Sequence, residues 1–249
     1  MIVSGLFESE LRRRGLTFAV DRESGRYEIT VSGTRLLVSV DNLGRRLHGD
    51  ARDAERVSGF VDSLVAAGEP HSITSAGLYW CLEPNDYSNQ AAYRVAVSPQ
   101  VDRVLVNVAE DESLITWVTA PNLQSIGLSA ADASDQAWLN LDAALRRSRL
   151  ETDEVDGVTL AILHTDFPSK ASLVLAPCLR DVVSGAVGWP ILAVAPDRDF
   201  VYLWNAERRD FIERLGGIVA REYGRAPYPL TTEVLEIGDS VQAIGTFGA

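Results

Sequence analysis

Asp197-Arg198-Asp199 is the polar cluster that stands out, because it joins two apolar runs, Ile191–Ala195 and Phe200–Trp204. A guanidinium beside two carboxylates on a tight turn can hold a ligand, orient a partner, or fix the turn through ion pairs and carboxylate-to-amide bonds. Turns need such residues whatever the function, which favours the structural reading. His164-Thr165-Asp166, at the end of another apolar run, sets a base and an acid close together, although a surface loop is the plainer account. A further expectation follows from the two segments together. If Asp166 and His164 converge with Asp197, Arg198 and Asp199 at strand ends, they line a concave pocket for a small molecule or a reaction.

Other chemistry is harder to find. A serine-hydrolase elbow needs glycine on both sides of the serine, and Gly127-Leu128-Ser129-Ala130-Ala131 lacks the second one, so Ser129 reads as a helix cap. His48, His71 and His164 have no ligand-type neighbour at the helical spacing of a zinc site, so no metal and no cofactor is expected. Cys81 and Cys178 sit in apolar surroundings and read as buried, reduced thiols. Gly216-Gly217 has no preceding strand and no following Lys-Ser/Thr pair, so it reads as close packing or a helix break and not as a phosphate loop. No catalytic residue is assigned, and the balance leans away from an enzyme.

The elements that must position these residues follow from periodicity. Leu6, Phe7 and Leu11 at helical spacing, ending in Arg12-Arg13-Arg14 before Gly15, predict an opening helix over 3–14. Leu16–Val20, Tyr27–Val31 and Leu36–Val40, separated by turn-like Glu23-Ser24-Gly25 and Ser32-Gly33-Thr34, predict a β-meander. Asp50 then caps a helix striped by Ala54, Val57, Val61, Leu64 and Val65 and stopped by Gly68. A polar stretch around Pro70 sets the boundary between an α-β-β-β-α module, residues 1–70, and a larger domain, 71–249.

In that larger domain Glu83 to Gln90 reads as a loop, and Tyr93–Val97, Val104–Val108 and Ile115–Thr119 read as strands. A helix is expected over 130–147. The acidic run Glu151–Asp156 reads as a solvated loop ahead of the strand Val158–Leu163. A helix over Lys170–Ser184, the hairpin around Pro196–Asp199, a helix over Glu207–Tyr223 and a closing pair, Val234–Ile237 and Val241–Ile244, complete the chain. The class is α+β, with mainly antiparallel sheets and helices packed on one face, in two modules.

The 249 residues carry a formal charge of −12, which repels nucleic acid and anionic membrane surfaces and suits a basic protein partner. The N-terminus lacks a basic segment followed by an apolar one, and no run approaches a membrane span, so a cytoplasmic location is expected.

Three segments in order, Ser129–Leu141 ending in Ala137-Trp138-Leu139-Asn140-Leu141, Asp166–Leu175 with Lys170-Ala171-Ser172-Leu173, and Ala193-Val194-Ala195-Pro196-Asp197-Arg198-Asp199, resemble the bacterial proteins grouped as domain of unknown function family 1444. Tyr228-Pro229-Leu230-Thr231 is similar in placement to that family's proline-containing stretch. The resemblance covers about residues 93–237 and implies no catalytic residues. Two readings are carried forward. The first is a non-catalytic cytoplasmic protein-binding or regulatory protein that docks a basic partner, with a homo-oligomer also compatible. The second is a small-molecule-binding protein or enzyme with a dispersed site near the Pro196–Asp199 turn.

Overall fold

The computed structural model describes residues 2–21, 25–38, 40, 43–44, 47, 49–50, 52–68, 73–86, 93–109 and 115–248. His48, His71, Glu23-Ser24 of the expected turn, Pro70 and the Asn89-Gln90 part of the expected loop lie outside the described residues. The chain divides into two compact units, 1–72 and 73–249.

In the first unit α1 (Ile2–Arg13) precedes β1 (Thr17–Val20), β2 (Tyr27–Val31) and β3 (Thr34–Val38), an antiparallel meander, followed by α2 (Asp53–Gly68). Alternation along β2 buries Tyr27, Ile29 and Val31 on one face, where Phe7 and Leu11 of α1 meet Val57 and Val61 of α2. Helices therefore cover one side of this sheet. Arg14 ties the two helices together, its guanidinium reaching Glu10 at 3.0 Å and Asp62 at 2.5 Å.

The second unit holds two antiparallel sheets. One contains β4 (Leu78–Pro84), β5 (Arg94–Ala96), β6 (Val101–Val108) and β7 (Ile115–Trp117), with β6 paired to the other three. The short α3 (Ala120–Ser125), capped by Thr119, and α4 (Ala130–Arg147) follow. The other sheet has six strands. Its members are β8 (Arg149–Val155), β9 (Val158–His164), β10 (Ile191–Asp197), β11 (Phe200–Asn205), β12 (Glu233–Ile237) and β13 (Val241–Thr246), in the order β13-β12-β10-β11-β9-β8. Between β9 and β10 lie a 3₁₀ helix, Lys170–Leu175, and α5 (Leu179–Val187); α6 (Ile212–Tyr223) separates β11 from β12.

The α+β class with antiparallel sheets is what the periodicity predicts, but the six-stranded sheet is covered on both faces. Ala161, Leu163, Ala193, Leu203 and Leu235 face a core shared with α4, α5 and the β4–β6 pair. Leu160, Val194, Tyr202, Trp204 and Val234 face Phe211 and the α6 residues Leu215 and Val219. Each fully buried Val, Leu or Phe among them contributes roughly 1.5–3 kcal/mol on burial. Double coverage explains why β10 and β11 are continuous apolar runs.

Three expectations need correcting. The acidic run is not a loop. It belongs to β8, paired with β9 from Arg149↔His164 to Val155↔Val158 through a tight turn at Asp156-Gly157, both at positive φ. Its Glu151, Asp153 and Glu154 are exposed because β8 is a sheet edge, so apolar alternation is missing. The helix expected over 170–184 is two pieces, because Pro177 drives Ala176 into extended backbone (φ −60°, ψ 130°). β4 takes up the start of the stretch read as a loop at Glu83-Pro84, where it pairs with β6 along its whole length. Gly216 and Gly217 do not break α6, and Gly216 gives room to the Phe247 ring. No helix among the described residues is long and apolar enough to cross a membrane.

Candidate functional site

The five residues proposed from sequence divide between two places. Asp197, Arg198 and Asp199 form the β10–β11 turn, in which the Asp199 amide donates to Asp197 Oδ1 at 2.8 Å. The Arg198 amide donates to the Tyr228 carbonyl at 3.0 Å, and the Arg198 carbonyl accepts from the Ala171 amide at 2.9 Å. Its guanidinium lies 4.1 Å from the Tyr228 ring centroid. Arg198 Nε and Asp199 Oδ1 are 3.9 Å apart, and neither atom makes a hydrogen bond. Burial raises the Asp199 carboxyl above the usual aspartate range, opposed by Arg198 and, more weakly, by Lys170, and reinforced by Asp197. The hollow beside Arg198, walled by Glu83, Pro84 and Tyr228, measures about 10 Å³. That is room for one water. This cluster therefore staples the turn to two neighbouring segments.

His164 and Asp166 instead line an open cleft of about 500 Å³. Its walls are built by chain reversals. α4 ends in Arg146-Arg147, suited to the negative end of the helix dipole, and passes through extended Ser148 directly into β8. Arg149 therefore starts β8 opposite His164, the last residue of β9. After β9 the Thr165 hydroxyl accepts from the Phe167 amide at 3.1 Å, turning the chain and burying Phe167 against Tyr79 of β4, ring centroids 4.8 Å apart. Next comes the 3₁₀ helix that begins at Lys170. It is anchored from beneath by two fully buried hydroxyls, Ser169 and Ser172, 2.6 Å apart, of which Ser172 Oγ also accepts from the Leu82 amide at 2.8 Å.

The cleft gathers positive charge in a strongly acidic chain. Arg147, Arg149 and Lys170 line it beside His164, with Asp166 as the one lining carboxylate among the described residues. Lys170 is the only lysine of the chain; every other cationic side chain of the Lys/Arg type is arginine. Glu151 Oε2 lies 3.1 Å from His164 Nε2 and 3.3 Å from Arg149 Nη2. Arg147, Lys170 and Asp166 form no ion pair among the described residues. Unpaired cations opening on a concavity favour an anionic ligand.

Both cysteines and Ser129 lie outside the cleft lining. Burial pushes the Cys81 thiol up to about 12, and burial with the neighbouring Asp142 pushes Cys178 up to about 11. Ser129 Oγ accepts from the Asp132 amide at 3.2 Å as the cap of α4. No group of three or more His, Cys, Asp or Glu among the described residues is arranged to hold a metal.

Sequence reasoning reached two residues of the cleft and missed Tyr79, Arg147, Arg149, Phe167 and Lys170. The legible signal was Arg146-Arg147-Ser148-Arg149, a basic run closing a helix just before the acidic strand. No protein-family model, curated protein or solved structure matches the chain.

Proposed function

We propose that this chain is a non-catalytic cytoplasmic binding protein whose cleft takes a small anionic ligand. The observation that carries the reading is the convergence of Arg147, Arg149, Lys170 and His164 on one concavity of about 500 Å³, in a chain of formal charge −12. Its size lies within the range of small-molecule sites, about 300–1,000 Å³. The resemblance to domain of unknown function family 1444 belongs to the same proposal and adds no residue roles. Thermal unfolding with a panel of phosphorylated, carboxylated and uncharged metabolites tests the reading. A ligand that binds only the folded chain raises its midpoint by mass action. Anionic members should raise it in the wild type and not in Lys170→Gln; equal shifts by uncharged members would refute the reading.

A second reading, docking of a basic protein, is supported by β8, a sheet edge bearing exposed Glu151, Asp153 and Glu154. It requires a partner captured at low salt and released at moderate salt. Capture that survives Asp153→Lys with Glu154→Lys would count against it.

A further inference from the structure

Resting on the reading of the cleft as an anion site, we propose that its ligand is a phosphate monoester of a polyol, with the phosphate held by Arg147 and Lys170 and the hydroxyls by Asp166. A cleft of about 500 Å³ holds far more than a bare oxyanion, so the anionic group must come with a body. Arg147 and Lys170 form no ion pair among the described residues, the Asp199 carboxylate acting on Lys170 only at longer range, and two such cations can both engage a phosphate dianion. Arginine offers phosphate a planar fork of donors, and lysine a mobile point charge. Arg149 adds a third positive group, restrained by the Glu151 carboxylate that it shares with His164.

Asp166 selects the other end of the ligand. It lines the same cleft, is exposed, and forms no hydrogen bond or ion pair among the described residues. An ionised carboxylate only accepts hydrogen bonds, so it repels a second acidic group and takes hydroxyl or amine donors. Tyr79 is half-buried and backed by the buried Phe167 ring, and its remaining exposed part can pack against the C–H side of a sugar or a planar ring. A dianionic head, a hydroxyl-bearing body and one apolar face together describe a sugar phosphate or a nucleoside monophosphate.

Isothermal titration of the full chain separates these layers, using ribose phosphate, adenosine monophosphate, ribose, inorganic phosphate and citrate at one fixed ionic strength. Wild type, Lys170→Gln and Asp166→Asn are compared after their unfolding midpoints show that each is folded. The two esters should bind about tenfold tighter than inorganic phosphate, with no measurable binding of ribose. Lys170→Gln should weaken every phosphate-bearing ligand about fivefold or more. Asp166→Asn should weaken the esters by a similar factor and leave inorganic phosphate unchanged or tighter. Tighter binding of the nucleotide than of ribose phosphate assigns the nucleoside as source, and the reverse order assigns the sugar phosphate. Citrate or inorganic phosphate binding as tightly as the esters, or esters indifferent to Asp166→Asn, overturns the ligand class while leaving an anion site. No heat from any anion at millimolar concentration overturns both.

Discussion

The Arg198 guanidinium stacks on the Tyr228 ring at 4.1 Å while the Arg198 amide donates to the Tyr228 carbonyl at 3.0 Å, so two residues thirty positions apart are joined through both side chain and backbone. The same segment bonds Pro196 and Ala195 carbonyls to the Leu230 and Thr231 amides, which carries the chain towards β12. Arg198 is therefore a structural clamp. Arg198→Ala should destabilise the protein by about 1–3 kcal/mol, read from urea unfolding. Affinity for anions in the cleft should stay within about twofold of wild type, because Arg198 does not line it. A selective loss of affinity with unchanged stability would return Arg198 to the site.

Asp199 supplies a pH test. Its carboxyl is raised mainly by burial, so the folded state prefers the neutral acid. That preference stabilises the fold fully below the ordinary value of 3.8 and is lost as pH rises through the higher folded value. Asp199→Asn should accordingly be more stable than wild type at neutral pH, and the gap should close on acidification. A gap that widens in acid would mean that the ionised form is the favoured one.

Glycine positions in the second unit separate backbone need from accident. Gly188 ends α5 at φ +84°, ψ −170°, and a Cβ there would collide with the Asn205 side-chain amide. Gly188→Ala should cost roughly 2–4 kcal/mol. Gly217, inside α6 with open space around it, should gain up to about 1 kcal/mol when replaced by alanine. Denaturant midpoints of the two variants should move in opposite directions.

The thiols should be inert in the native protein. With Cys81 at about 12 and Cys178 at about 11, little thiolate exists at mildly alkaline pH, and both side chains are buried. A disulfide-exchange reagent should label neither until denaturant is added, and then both. Fast labelling of either in the native state would expose a reactive thiol that the packing does not allow.

What was legible in the sequence was whatever one dominant period controlled. α4, with Ala137, Leu141, Ala144 and Leu145 on its buried side, begins and ends where capping and periodicity place it. β10 and β11 were readable because burial on both faces leaves little room for polar residues. β8 was hidden because an edge strand can be charged, although Asp156-Gly157 carried a hairpin signal. The cleft was half legible. His164 and Asp166 are neighbours in sequence, whereas Arg147, Arg149, Lys170 and Tyr79 meet only because α4 turns straight into β8 and the 3₁₀ helix docks on β4 through Ser172. Sequence spacing carries no record of that docking. Convergence of the Asp197–Asp199 turn with His164 and Asp166 into one pocket did not occur, since the turn is filled by its own backbone bonds and by Tyr228.

The single lysine makes the central claim directly measurable. Pyridoxal phosphate and 5-deoxypyridoxal, which has no hydroxyl to close on its aldehyde as a hemiacetal, carry the same free aldehyde, which condenses with an amine to an imine that borohydride fixes, and they differ in the phosphate-bearing group. Trapping followed by peptide mass spectrometry should show Lys170 modified about tenfold more by the phosphate-bearing aldehyde, with the preference abolished in Arg147→Gln and suppressed by competing pyrophosphate. Equal modification of Lys170 by both aldehydes, unaffected by pyrophosphate, would contradict an anion-binding cleft.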